Sequence, residues 1–217
     1  MRQQFILFDL DGTLTDPAEG ITNSFAYALR QYGIEVEDKR TLHRFIGPPL
    51  VTTFQEHFGY DREKALEATH YFRQWYSSTG WLQNIPYPGI RQLLQNLQAA
   101  GKTLVVATSK PEHLARKILE HFGLAACFTV ICGAPMDESI HSTKATVIRE
   151  AMARAGITDP GDAVMVGDRR YDTEGARENG IETVGILYGY GDRAEHEACQ
   201  TRWIAATVQD LEALLLS

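Results

Sequence analysis

The chain has 217 residues, a formal net charge of −7, and is 44% hydrophobic and 23% charged. That balance belongs to a globular chain and excludes collagenous, disordered and disulfide-stapled classes. The acidic excess argues against unspecific nucleic-acid binding, which needs surplus Lys and Arg, but leaves open a small anionic ligand in one pocket.

Three cysteines without a CxxC pair imply neither a disulfide frame nor a zinc site. No apolar stretch approaches the ~20 residues of a membrane span, and Met1 to Phe8 lacks the pattern of a signal peptide. The expected compartment is the cytoplasm, with no membrane partner. The oligomeric state, monomer or homodimer, stays open.

Phe5-Ile6-Leu7-Phe8 reads as a buried parallel strand. Asp16-Pro17 looks like an N-cap followed by a first-turn proline, opening a helix to about residue 32. Asp38 opens a second short helix that Gly47-Pro48-Pro49 breaks. A third runs from Leu50 to His57, and Asp61 caps a fourth that ends at Gly80. Residues 16 to about 82 are thus expected to be helical, without a strand.

The texture changes at Pro86-Tyr87-Pro88-Gly89. A helix from Ile90 ends at Gly101, followed by strand Leu104–Ala107 and a helix from Pro111 to Phe122. Strand Phe128–Cys132, helix 143–155, strand Ala163–Val166, helix 170–179 and strand Thr183–Leu187 follow. Strand Trp203–Ala206 and helix 208–215 end the chain. Such alternation predicts an α/β fold, a Rossmann-like parallel sheet with helices on both faces. The expected division is a catalytic core of residues 1–15 and 85–217 with an all-α helical-bundle cap, 16–84, inserted after the first strand. Gly189-Tyr190-Gly191-Asp192-Arg193-Ala194 loosely matches a dinucleotide pattern, but no βαβ unit follows it, so a loop is expected.

Ligands of such sheets bind beyond the carboxyl ends of the strands, so chemistry is sought there. The first strand ends in Asp9-Leu10-Asp11-Gly12-Thr13-Leu14. Asp and Gly also make plain turns, but two acids, a glycine and a hydroxyl just after a buried run point to a site. The second strand ends in Thr108-Ser109-Lys110-Pro111, whose hydroxyls suit either an anion or a simple helix cap. The fourth ends in Gly167-Asp168-Arg169-Arg170-Tyr171-Asp172, where two acids four apart can face one point. Lys144, at a helix start, opposes the helix dipole and so has an anion to meet. Asp9, Asp11, Asp168 and Asp172 would converge with Thr108 and Lys144. Carboxylates that close cannot all ionise without a cation. Oxygen ligands without His or Cys fit Mg²⁺.

The motifs FDLDGTL (Phe8–Leu14), ATSKP (Ala107–Pro111), Lys144 within HSTKATVI and VGDRRYD (Val166–Asp172) resemble those of the haloacid dehalogenase-like hydrolases. The similarity is to their phosphoglycolate phosphatase-like members with a helical cap. It implies Asp9 as the nucleophile that forms an aspartyl-phosphate, and Asp11 as general acid, then base. It implies Thr108 and Lys144 as holders of the phosphoryl oxygens. Mg²⁺ would be ligated by Asp9, the Asp11 backbone carbonyl and Asp168, with Asp172 in support.

An acid at Asp11 favours phosphoryl transfer over dehalogenation, since a halide needs no proton. Schiff-base chemistry is disfavoured because Lys39 and Lys64 sit in charged helical stretches. The reading is a Mg²⁺-dependent phosphomonoester hydrolase of a small phosphorylated metabolite. A phosphosugar mutase and a non-catalytic phospho-ligand binder are the alternatives. Arg44 and Gly47, beside Pro48-Pro49, and Ser109 are candidate substrate contacts, although Arg44 can equally be a surface helix charge.

Overall fold

The computed structural model describes residues 1–135 and 142–217. The chain forms two compact units, residues 1–16 with 86–217, and residues 17–85.

The first unit holds β1 (Phe5–Phe8) and β2 (Thr15–Asp16). In the second lie α1 (Ala18–Arg30), a 3₁₀ turn over Lys39–Phe45, α2 (Leu50–Phe58) and α3 (Arg62–Ser78). Strand β3 is Ile85–Pro86, and α4 (Ile90–Ala99), β4 (Thr103–Pro111) and α5 (Glu112–His121) follow. Next come β5 (Val130–Ala134), α6 (Lys144–Ala155), β6 (Ala163–Gly167) and α7 (Arg170–Glu178). The chain ends with β7 (Glu182–Ile186), α8 (Arg193–Ala198), β8 (Trp203–Ala205) and α9 (Val208–Leu216).

Six strands form one sheet in the order β5-β4-β1-β6-β7-β8, and every pairing is parallel. Strand β1 is central because it is apolar on both faces: Ile6, Leu7 and Phe8 are fully buried. On one face Leu7, Val105 and Met165 pack with Val147, Ile148 and Ala151 of α6. Phe8 pairs with Val106 on β4 and with Val166 on β6. That register sets the residues after β1, β4 and β6 side by side. The α/β fold class expected from the strand–helix alternation is the observed one.

The helical unit builds its own core around Phe25. The Phe25 ring lies 5.6, 5.4 and 4.9 Å from those of Phe45, Phe54 and Phe72. Asp61 caps α3 by accepting from the Lys64 amide, and Gly59 closes α2 in a left-handed conformation.

Three local expectations are corrected. Pro17, not Asp16, is the cap residue of α1, and no side chain caps that helix. Asp16 is extended, and its carboxylate accepts from the Tyr190 hydroxyl instead. Strand β4 does not stop near Ala107. It runs on to Pro111 with a register irregularity after Thr108, because Pro111 adopts an extended ψ and pairs with Ala134. The short helix expected after Asp38 is a 3₁₀ helix, and Asp38 caps it by accepting from the Arg40 amide. The loop expected over 189–194 ends at Asp192, whose carboxylate accepts from the Glu195 amide and starts α8.

Among the described residues, no helix is long and apolar enough to cross a membrane.

Candidate active site

The polypeptide turns sharply after β1. The amides of Thr13, Leu14 and Thr15 all donate to the Leu10 carbonyl. Asp9 stays in the sheet, its amide donating to the Val166 carbonyl on β6 at 3.0 Å. Gly12 takes φ +84°, a left-handed conformation that suits glycine. It also leaves room: a Cβ there would lie 2.2 Å from Asp168 Oδ2. The small residue of the first motif is therefore what lets the acid of the fourth approach.

Asp168 follows β6 directly and is fully buried. Its Oδ2 accepts from the Tyr190 amide at 2.8 Å, while its Oδ1 is buried with no hydrogen-bond partner among the described residues. Asp172 sits in the first turn of α7, where its Oδ2 accepts from the Arg169 amide at 3.1 Å. Lys144 opens α6 behind a capping box of Thr143 and Thr146. Its ammonium lies 2.8 Å from Asp9 Oδ1 and 2.7 Å from Asp172 Oδ1. This approach of α6 to α7 needs Gly175, where a Cβ would meet the Ala145 amide at 2.9 Å.

A ligand oxygen from each of Asp9, Asp168 and Asp172 lies within 4.8 Å of the others, and all three residues are buried. Burial, then the charges of Asp172 and Asp9, push the Asp168 carboxyl well above the usual carboxylate range. Burial raises Asp172 to about 6, against the pull of Lys144. Burial alone would pull the Lys144 ammonium down, but Asp172 and Asp9 outweigh it and hold it above its ordinary value. An orphaned buried oxygen on Asp168 and an all-oxygen donor set fit a hard divalent cation.

Asp11 lies on the turn after β1. Its Oδ2 is 2.6 Å from the Lys110 ammonium, and its Oδ1 is buried without a hydrogen-bond partner among the described residues. Burial raises the Asp11 carboxyl despite the opposing pull of Lys110. Thr108 is buried, and its hydroxyl accepts from the Lys110 amide at 3.2 Å.

Of the residues singled out in the sequence, Asp9, Lys144, Asp168 and Asp172 are joined by direct contacts or short oxygen–oxygen separations. Ser109 is exposed on β4. Arg44 and Gly47 belong to the helical unit. There Arg44 is exposed with its guanidinium 4.7 Å from the Phe45 ring centre, and Gly47 is an exposed turn residue at φ +107°. His141, first in the stretch that carries Lys144, lies outside the described residues.

Two participants escaped the sequence reading. Lys110 stood inside the second motif, but its partner is 99 residues away. The Tyr190 amide, in the segment read as a bland loop, holds Asp168. The signal for Lys110 was a lysine at a strand's carboxyl end; a backbone amide leaves none.

Comparison with known proteins agrees with this geometry. The family model for haloacid dehalogenase-like hydrolases matches residues 6–186. A 5'-nucleotidase of Pseudomonas aeruginosa is 40% identical over 217 residues, covering 100% of this chain and 97% of that protein. The tyrosine-protein kinase PtkA of Mycobacterium tuberculosis is 41% identical over 215 residues, covering 98% of this chain and 72% of that protein. The crystal structure of a predicted phosphatase from Clostridium acetobutylicum superposes with a TM-score of 0.96 at 44% identity, covering 100% of this chain and 99% of that one. With its parallel sheet and its buried acids after β1 and β6, the chain belongs to the haloacid dehalogenase-like hydrolases.

Proposed function

We propose that this haloacid dehalogenase-like phosphatase hydrolyses a small phosphomonoester in two steps through a phosphoaspartyl intermediate on Asp9. The observation that carries the reading is the pairing of Asp9 and Asp172 by one buried ammonium, Lys144, next to the partnerless Asp168 Oδ1. Asp9, Asp168, Asp172 and the Asp11 backbone carbonyl would hold Mg²⁺. Bound there, the ion would neutralise carboxylate charge and polarise a phosphoryl oxygen.

In the first step an Asp9 carboxylate oxygen bonds to phosphorus and the bond from phosphorus to the ester oxygen breaks. The electron pair goes to that oxygen, which takes a proton from Asp11. In the second, a water gives a proton to Asp11 and its oxygen bonds to phosphorus. The bond from phosphorus to Asp9 breaks and its electron pair returns to the carboxylate. Lys144 and the Thr108 hydroxyl steady the phosphoryl oxygens.

The 5'-nucleotidase relative makes nucleoside 5'-monophosphates the first substrate class to test. The experiment is a phosphate-release screen over nucleotides, phosphoglycolate and sugar phosphates with Mg²⁺, with Asp9→Asn as control. Release that needs Asp9 supports the reading. Release by Asp9→Asn near the wild-type rate overturns the nucleophile assignment.

The PtkA relative favours a second reading, transfer of a phosphoryl group from ATP to a tyrosine hydroxyl. Incubation with ATP and a tyrosine peptide separates the two. Phosphopeptide supports transfer, whereas free phosphate with unmodified peptide supports hydrolysis.

A further inference from the structure

This inference rests on the reading of Asp11 as general acid and base. Two buried ammoniums serve the carboxylates at this sheet edge. Lys144 contacts Asp9 and Asp172, whereas Lys110 contacts Asp11. The position of Lys110 is built into β4. The register irregularity between Thr108 and Pro111 falls across it, and its amide is tied to the Thr108 hydroxyl. Its side chain is 6% exposed and that of Asp11 14%. A buried charge-assisted contact of 2.6 Å fixes the carboxylate it touches far better than one on an open surface.

The two oxygens of Asp11 are thereby made unequal. Oδ2 is occupied by the Lys110 ammonium, and Oδ1 is buried without a hydrogen-bond partner. A general acid must present one oxygen to the leaving group within hydrogen-bond reach. A carboxyl free to rotate about its side-chain bonds does so only part of the time. We propose that Lys110 is a positioning residue for Asp11. It holds Oδ2 so that Oδ1 is the atom that gives the proton to the leaving oxygen and later takes one from water.

The test exploits leaving-group chemistry. The ratio kcat/KM reports events up to transfer onto Asp9, and there an alkyl leaving group needs the Asp11 proton far more than p-nitrophenolate does. Lys110→Met, Lys110→Arg and Asp11→Asn are compared with wild type on p-nitrophenyl phosphate and on an alkyl phosphomonoester that the wild type hydrolyses. For Lys110→Met, kcat/KM on the alkyl ester is expected to fall about tenfold or more beyond its fall on the aryl ester, within the 10²–10⁴-fold range of general acid catalysis. On the aryl ester kcat and KM fall together, because the water step still needs a well-placed Asp11. Lys110→Arg, which keeps a cationic donor, restores most of the alkyl rate.

A merely structural lysine gives equal losses on both esters, and that result overturns the proposal. So does a Lys110→Arg variant as selective as Lys110→Met. If Lys110→Met does not fold, Lys110→Gln is measured in the same way and judged by the same ratio. Asp11→Asn locates any failure. If it splits the two esters and Lys110→Met does not, only the positioning role falls. If Asp11→Asn shows no split, the general-acid reading falls and takes the proposal with it.

Discussion

Gly12→Ala separates two effects that the structure superposes at one residue. The backbone there is left-handed, φ +84°, where an L side chain costs about 1–2 kcal/mol. The added Cβ would also lie 2.2 Å from Asp168 Oδ2 and 2.6 Å from its Cγ. Ordinary contact begins near 3.4 Å, so the carboxylate must retreat by roughly 1 Å. Any retreat of Asp168, which is fully buried, strains its bond to the Tyr190 amide. A displacement of about 1 Å in a catalytic constellation costs on the order of 100-fold in rate. Gly33→Ala is the control, since it shares the backbone strain at φ +73° but its Cβ meets nothing within 4 Å. Both variants should lose about 1–2 kcal/mol in urea unfolding from backbone strain, with an added loss for Gly12→Ala. Gly12→Ala alone should lose about 100-fold in kcat/KM and need more Mg²⁺ for half-maximal rate. If its rate and Mg²⁺ dependence stay within threefold of Gly33→Ala, the claim that this glycine makes room for Asp168 is wrong.

Three further outcomes are expected. Lys144→Met strands two buried carboxylates, so metal-free protein should lose about 3–5 kcal/mol in urea unfolding, and less when Mg²⁺ is present; a loss below about 1 kcal/mol refutes the pairing. Asp172 has its folded pKa raised from 3.8 to about 6, so the folded state binds more protons than the unfolded chain across that window. Metal-free stability should therefore fall by about 2 kcal/mol from this group as pH rises from 4 to 7, and Asp172→Asn should remove that part of the slope; a slope unchanged by Asp172→Asn contradicts it. EDTA should abolish phosphate release and added Mg²⁺ should restore it, whereas activity indifferent to chelation sinks the metal reading.

What could be read from the sequence was whatever is local in the chain. The apolar run of β1 and the acids that follow it are adjacent residues, and strand–helix alternation alone implied the parallel sheet. Asp172 could be paired with Asp168 because both lie on one strand-to-helix turn. The misreadings came where a distant partner decides. Asp16 has every local mark of an N-cap, yet its carboxylate answers a hydroxyl 174 residues away. Lys110 had no visible role because Asp11 lies 99 residues earlier. Tyr190 contributes through its amide, which every residue but proline possesses, so residue type could not mark it.

Charge links the two lysines to the acids. Asp9, Asp11, Asp168 and Asp172, all ionised, carry −4, and Lys110 and Lys144 return +2. A cluster at −2 in a chain at −7 repels a phosphate dianion, so the lysines alone do not make an anion site. The upward shifts of Asp168 and Asp172 come first from burial and then from the neighbouring carboxylates, so both acids hold their protons more tightly than in water. A divalent cation held by these acids would cancel the deficit and favour release of those protons. Lys144 cannot substitute for it, since its ammonium is already divided between Asp9 and Asp172. Lys110 likewise contacts Asp11, the acid of the proposed mechanism. On the proposed mechanism positive charge has separate tasks: Lys144 holds Asp9 beside Asp172, Lys110 holds Asp11, and a divalent cation would make the site attractive to a phosphate.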